Sequence, residues 1–170
     1  MTGERAAETL VTGAWLGLAQ VALAFSVMAS AGAAAILFFV LSAFWIAGST
    51  SGVLGARGPR ITTGVLVTAL VLVALGRWML AAMPLSGAAL AVGLVAAFVT
   101  GAYAGAFLRD RSRAWGEVRA LLFHENTGFV AGYALGAGLL LSNALALDIA
   151  LLVAGLAVLA WRCASMASRR

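Results

Sequence analysis

Residues 61–83 read ITTGVLVTALVLVALGRWMLAAM, an apolar run whose only charged side chain is Arg77. A helix needs about 20 apolar residues to cross the ~30 Å hydrocarbon core of a bilayer. In lipid the backbone must satisfy its own hydrogen bonds, which a helix does within one segment. This stretch therefore predicts a membrane-spanning helix.

Five more apolar runs flank this stretch, and they contain frequent glycine and serine. They cover Leu10–Met28, Ala33–Gly55, Gly87–Leu108, Arg119–Leu141 and Leu145–Cys163. The chain is 64% hydrophobic and 10% charged, with a mean hydropathy of +1.06, so it has too little charge for a water-facing surface. We predict an all-α, polytopic membrane bundle of six transmembrane helices, forming a single integral membrane domain over 1–170.

The charged side chains lie mostly between these runs, and all eleven basic residues are arginine. With six spans, ten of the eleven fall on the side that holds both termini and the second and fourth loops, and only Arg77 lies nearer the other side. Because arginine accumulates on the cytoplasmic side, we predict cytoplasmic termini in a cell membrane, most simply a bacterial inner membrane. The arginines of the two cytoplasmic loops are Arg57, Arg60, Arg109, Arg111 and Arg113.

Two alternatives to this interpretation are disfavoured. A cleaved signal peptide would use the small residues after Met28, but the first apolar stretch is long for that role and Glu4 and Glu8 precede it beside Arg5. The net charge of +5 does not indicate nucleic-acid binding, because no basic face alternates with stacking aromatic residues. The bilayer is the expected environment, and no nucleic-acid partner is expected.

Small residues recur every four positions in three predicted spans, a spacing that lets helices approach closely in lipid. They are Ala43, Ala47, Ser51 and Gly55 with Gly48 and Gly52 beside them in the second span, Gly93, Ala97, Gly101 and Gly105 in the fourth, and Gly128, Gly132 and Gly136 in the fifth. Two interpretations are open. All three faces pack within one bundle, or one of them, most plausibly the fifth, is a partner face for another chain.

The densest polar group is His124, Glu125, Asn126 and Thr127, early in the fifth span. Acidic and imidazole groups inside a membrane are costly unless paired, and they commonly mark function. One interpretation is a proton relay, because histidine titrates near neutrality. The other is an interfacial group that pairs with Arg119 or with the basic loop.

No catalytic residue or metal site is predicted. The chain has one histidine and one cysteine, Cys163, so the usual nitrogen and sulfur ligand set for a metal is improbable. No glycine-rich phosphate loop, zinc-protease helix or nucleophile elbow is present. Asp148 is expected at the N-terminus of the sixth helix, where a carboxylate is stabilising, as its cap. We expect no enzyme activity and no cofactor.

Taken together, six spans with both ends inside and glycine-rich second, fourth and fifth helices resemble one half of a major facilitator superfamily transporter. The loop Gly52–Arg60 is similar to the loop between helices two and three of that family, and the stretch Tyr103–Leu141 resembles its fourth-to-fifth helix passage. Ser42–Arg57, and Asn126-Thr127 followed by spaced glycines, are similar to the membrane domain of spermidine-synthase-like fusion proteins. The resemblance implies a six-helix bundle whose fifth helix borders a second half.

Two functions are carried forward. The first is a non-catalytic membrane subunit or scaffold that associates through glycine-rich helix faces with a second copy or another membrane subunit. The second is a half-size transporter of the major-facilitator type that works as a homodimer, because the substrate site of that family lies between two six-helix halves.

Overall fold

A computed structural model describes residues 3–32, 35–55, 58–115 and 117–167, and the elements in these ranges are six helices. They are α1 (Gly3–Ser30), α2 (Ala35–Gly55), α3 (Pro59–Ala82), α4 (Gly87–Trp115), α5 (Val118–Ser142) and α6 (Ala144–Ala167). The all-α prediction is confirmed. Judged by length and composition, five of these helices could cross a membrane, and α5 is not among the five.

Three helices extend well beyond the apolar runs that predicted them. Helix α1 begins at Gly3 rather than Leu10, α4 continues to Trp115 rather than ending at Leu108, and α6 continues to Ala167 rather than ending at Cys163. The expectation that Arg109–Val118 forms a loop is therefore wrong over its first part. Arginine and glutamate favour helical backbone, so the helices continue past the apolar segment into the charged one.

The chain divides into two compact units, Met1–Val21 with Asp110–Arg170, and Ala22–Arg109. We call them the first and second unit. Helices α1 and α4 each contribute to both, so the division cuts through helices and not through a linker. One domain over 1–170 stays a prediction.

In the second unit, α2 and α4 meet backbone to backbone at glycines. A methyl group added at Gly48 would collide with the carbonyl oxygen of Phe98, and one added at Gly52 with that of Ala102. The contact is reciprocal, because Gly101 and Gly105 stand in the same way against carbonyl oxygens of α2. The residue numbers of the paired positions increase in the same direction along both helices, so α2 and α4 run parallel. Arg109 joins the same pair of helices by donating to the carbonyl oxygens of Val53 and Leu54 at 2.6 and 2.7 Å.

Helix α3 completes the second unit. Leu66, Ala69 and Val73 are buried on one of its faces. Near its end, Arg77 Nη1 donates to the Ala22 carbonyl oxygen and to Ser26 Oγ, each at 2.9 Å. These bonds tie α3 to the second half of α1.

In the first unit, α5 packs along α1 through a second glycine contact, which we call the α1–α5 joint. It is formed by Gly13, Gly17, Gly128 and Gly132, and at each of these a methyl group would collide with backbone atoms of the facing helix. Gly13 stands against Glu125 and Phe129, and Gly17 against Phe129 and Tyr133, so these helices also run parallel.

The α1–α5 joint corrects the expectation that the fifth stripe faces another chain. Gly128 lies against Leu10 and Gly132 against Ala14, and a methyl group added at Gly136 would lie 3.3 to 3.5 Å from side-chain atoms of Leu18 and Val21. All three glycines are buried. The packing interpretation of Gly128, Gly132 and Gly136 is the one observed, and the partner-face interpretation is wrong because α1 already fills this groove.

Candidate functional site

Four charged side chains converge at one end of the first unit. Glu8 lies in the second turn of α1, Asp110 and Arg111 lie near the end of α4, and Arg162 lies near the end of α6. We call these four residues the charged cluster. Arg162 is 1% exposed, Glu8 6% and Arg111 7%, so the charges are almost entirely removed from solvent.

Direct ion pairs join the charged cluster. Arg111 Nη2 donates to Glu8 Oε1, and Arg162 Nη2 donates to Asp110 Oδ2 at 2.7 Å. Arg162 Nη1 lies 3.9 Å from Glu8 Oε1, so Arg162 lies between the two acids. Two positive and two negative groups make the set neutral, which is the condition under which buried charges are tolerated.

Helix geometry on α6 builds one side of this site. Arg162 follows Leu151, Gly155 and Val158 on the buried face of α6, where its long side chain reaches the other helices. Ser165, one turn later, donates from Oγ to the Arg162 carbonyl oxygen at 2.9 Å and accepts from Arg111 Nη2 at 3.5 Å. The same helix face therefore supplies both a cation and a hydroxyl group.

The charged cluster fixes which helix ends share one end of the first unit. It joins the N-terminal end of α1 to the C-terminal ends of α4 and α6. A buried ion pair that loses one partner leaves an uncompensated charge, at a cost of about 3–5 kcal/mol. Chemically, the arrangement is suited to holding three helices together, with each charge occupied by another group of the same chain.

Sequence reasoning missed most of this site. Arg111 was expected in a cytoplasmic loop, whereas it is helical and buried, and Glu8, Asp110 and Arg162 were not predicted as site residues. One signal was available in the sequence. Each of these charges lies within about two turns of a helix end, next to the apolar segment of the same helix. That signal places a charge near a membrane face but does not say which helices meet there.

The structure does not bring the predicted polar group His124–Thr127 together. Glu125 shares the buried face of α5, whereas Asn126 and Thr127 are exposed. His124 is half-buried, with its ring centroid 5.5 Å from that of Trp115. Thr127 Oγ1 donates to the Phe123 carbonyl oxygen of its own helix at 2.7 Å. Successive residues point about 100° apart on a helix, so a run of four is spread around it.

The expected pairing of Glu125 with Arg119 is absent from the described part of the chain. Arg119 is exposed one turn and a half earlier on α5, and Glu125 is only 8% exposed. No hydrogen bond or ion pair joins the Glu125 carboxylate to a side chain that the structure describes.

The predicted loop arginines have separate roles. Arg60 is exposed at the start of α3, and Arg109 is half-buried and binds carbonyl oxygens at the end of α2. Arg111 belongs to the charged cluster. Arg57 and the side chain of Arg113 lie outside the described part of the structure.

Two smaller predictions concern α6. Asp148 was expected at its N-terminus, but the helix begins at Ala144 and Asn143 precedes it. Asn143 Oδ1 accepts from the Leu145 N–H at 2.9 Å, so the cap is Asn143 and the Asp148 prediction is wrong. Cys163 is exposed near the other end of the helix.

Among the described residues, no three histidine, cysteine, aspartate or glutamate side chains lie close enough to hold a metal ion. No known protein family, curated protein or solved structure matches this chain. The sequence and the structure thus define a helical bundle with five candidate membrane spans and a buried charged cluster.

Proposed function

We propose that the chain is a six-span integral membrane protein, with α5 as the sixth span. The α1–α5 joint supports this. Helix α1 is apolar enough to span a membrane, and α5 lies parallel to it at backbone contact from Leu10 to Gly17. A helix held this closely along a spanning helix occupies the same depth. The polar residues of α5 make its most apolar stretch less apolar than those of the other five helices. Burying Glu125 on the α1 side keeps it out of contact with lipid, which lowers the free-energy cost of placing α5 in the membrane.

The orientation that we propose has both termini in the cytoplasm of a bacterium. The N-terminal end of α1 and the C-terminal ends of α4 and α6 meet at the charged cluster. A chain that returns to its starting end after four helices, and again after six, has crossed an even number of times. The arginine distribution then favours the cytoplasm for that end.

Within the membrane, we propose a non-catalytic subunit or scaffold. The observation that carries this proposal is the neutral charged cluster, in which the four side chains bind one another and tie three helices together. Large apolar side chains remain exposed on the outer faces and suit contact with lipid or with another membrane protein; they include Phe39, Leu54, Val71, Trp78 and Leu141. Because the paired glycines of α2, α4 and α5 are used within the chain, association would use these outer faces.

A homodimeric transporter, half the size of a major facilitator superfamily protein, is the second candidate. One observation favours it, the buried Glu125 carboxylate without a described partner, because an ionisable group inside a membrane commonly marks an ion pathway. The resemblance to that superfamily is part of this second proposal.

The mass of the complex in lipid nanodiscs separates the two candidates. A foreign subunit at fixed stoichiometry supports the scaffold. A self-dimer that carries a pH-coupled flux in liposomes supports the transporter. A monomer that neither recruits a subunit nor supports flux contradicts both.

Cysteine labelling tests the topology independently of function. Cys163 near the end of α6 should react with a membrane-impermeant reagent only from the cytoplasmic side. In a Cys163→Ser background, Ser86→Cys between α3 and α4 should react only from the other side. Reaction of both positions from one side contradicts the six-span arrangement.

A further inference from the structure

We propose that Glu125 is a proton-binding site enclosed by the α1–α5 joint, and that its charge state controls how tightly this joint packs. This inference depends neither on the scaffold function nor on the transporter function. It rests on where Glu125 lies, what surrounds it and what does not bind it.

The position of Glu125 is set by the helix contact. Glu125 shares the buried face of α5 with Leu121, Gly128 and Gly132. On α1, Gly13 stands so close to the Glu125 backbone that a methyl group there would overlap it. Two helices in backbone contact leave little room for water beside Glu125, and the residue is only 8% exposed.

The charged and titratable side chains that the structure describes on the elements of the first unit do not bind Glu125. They are Glu4, Arg5 and Glu8 on α1, Asp110 and Arg111 on α4, Glu117 before α5, Arg119, His124 and Tyr133 on α5, and Asp148, Arg162 and Cys163 on α6. None of these forms a described hydrogen bond or ion pair with Glu125. The charged cluster is already neutral without Glu125.

The protonated form of Glu125 suits this environment better than the ionised form. The residue is 8% exposed, and no described arginine or histidine side chain is bound to its carboxyl group. Burying a charge without a partner costs far more free energy than burying a neutral carboxyl group.

The consequence for the joint follows from the same contact. Ionising Glu125 places an unpaired charge where α1 and α5 touch, and the charge regains hydration only if the helices separate or water enters. Proton release is thus coupled to loosening of the α1–α5 joint. The glutamine side chain has the shape of the protonated carboxyl group and cannot ionise, so Glu125→Gln should hold the joint closed at every pH.

Infrared spectroscopy of the full chain in nanodiscs tests the proposal. At neutral pH the wild type should show the carbonyl band of a protonated carboxyl group, and this band should disappear reversibly as the pH rises. The band should be absent in Glu125→Gln and retained in Glu117→Gln, whose side chain is exposed just before α5. Identical wild-type and Glu125→Gln spectra across the pH range would overturn the proposal.

A second pair of variants tests whether the joint encloses the proton. Gly13→Ala should admit water and move the loss of the band to lower pH, whereas Gly138→Ala, which has open space around it on α5, should leave it unchanged. If Gly13→Ala folds and titrates as the wild type does, the joint does not enclose the site. If it fails to fold, the comparison of Glu125→Gln with Glu117→Gln still decides the main proposal.

Discussion

The charged cluster and the run His124–Thr127 are both polar groups of the first unit, but they are built in opposite ways. The cluster takes its members from three helices, and the residues of its Glu8–Arg111 pair are 103 positions apart. The run His124–Thr127 is contiguous, yet its side chains diverge around α5. A dense polar motif in a helix is therefore a poor guide to a site, whereas single charges near helix ends can converge into one.

The two groups also differ in how their charge is balanced. Each acid of the charged cluster has an arginine bound to it, so the cluster acts as a fixed tie between helices. Glu125 is buried without a described partner, and a charge that changes with pH is what we propose for it.

Removing the central cation of the charged cluster should have the largest effect. Arg162→Met keeps an unbranched apolar stem but removes the guanidinium group, which leaves Asp110 without its bound arginine and Glu8 with only one. We expect the free energy of unfolding to fall by about 3–5 kcal/mol. Denaturant titration in mixed micelles measures it. The control is Arg119→Met on the exposed face of α5, which should change the value by no more than about 0.5 kcal/mol. Similar values for the two variants would show that the cluster is not a structural tie.

A double-mutant cycle on Glu8 and Arg111 should give the next largest effect. Glu8→Leu alone and Arg111→Leu alone each strand a buried charge, at about 3 kcal/mol. The double variant should recover at least half of that loss, because replacing a buried ion pair with apolar side chains is often neutral. Additive losses in the same titration would contradict direct coupling between the two side chains.

The sequence predicted the helices well but not what joins them. The bounds of α2, α3 and α5 agree with their apolar runs to within two residues. The charged end of α4 was predicted as a loop, since hydropathy cannot distinguish a charged helix from a charged coil. The charged cluster depends on the rotation and depth of α1, α4 and α6 relative to one another, which no pattern within a single helix contains.

The glycine stripes also show that a pattern within one helix does not identify the helix that it contacts. Their spacing predicted close helix packing, and Gly48, Gly101 and Gly132 do make backbone contacts. The spacing did not identify the facing helix, so packing within the bundle and contact with another chain both stayed open for the stripe of α5. A stripe specifies the shape of a surface but not its occupant, and here α1 is the occupant.

Disrupting the α1–α5 joint should have an intermediate effect on the free energy of unfolding. The joint concerns both polar groups, because Glu8 and Glu125 both belong to this pair of helices. Gly132→Ala places a methyl group against the Ala14 carbonyl and should lower the free energy of unfolding by about 1–3 kcal/mol. Gly138→Ala meets nothing within 4 Å and should raise it by up to about 1 kcal/mol through helix propensity. A change of the same sign and size in both variants would mean that the joint is looser than the structure has it.

The smallest effect should come from Asn126, the member of the run His124–Thr127 that is most readily removed. Its side chain is exposed between two buried-face positions, Glu125 and Gly128, and Asn126→Leu breaks no hydrogen bond that the structure describes. We expect the free energy of unfolding of the isolated chain to change by no more than about 0.5 kcal/mol. Thr127→Val is the matched control, because its hydroxyl binds only a carbonyl of its own helix. The informative outcome is a variant that folds normally yet changes the mass of the nanodisc complex. An amide directed away from its own bundle can hydrogen-bond across a helix interface in lipid, and loss of assembly in Asn126→Leu alone would assign this exposed side of α5 to the partner that the scaffold proposal requires.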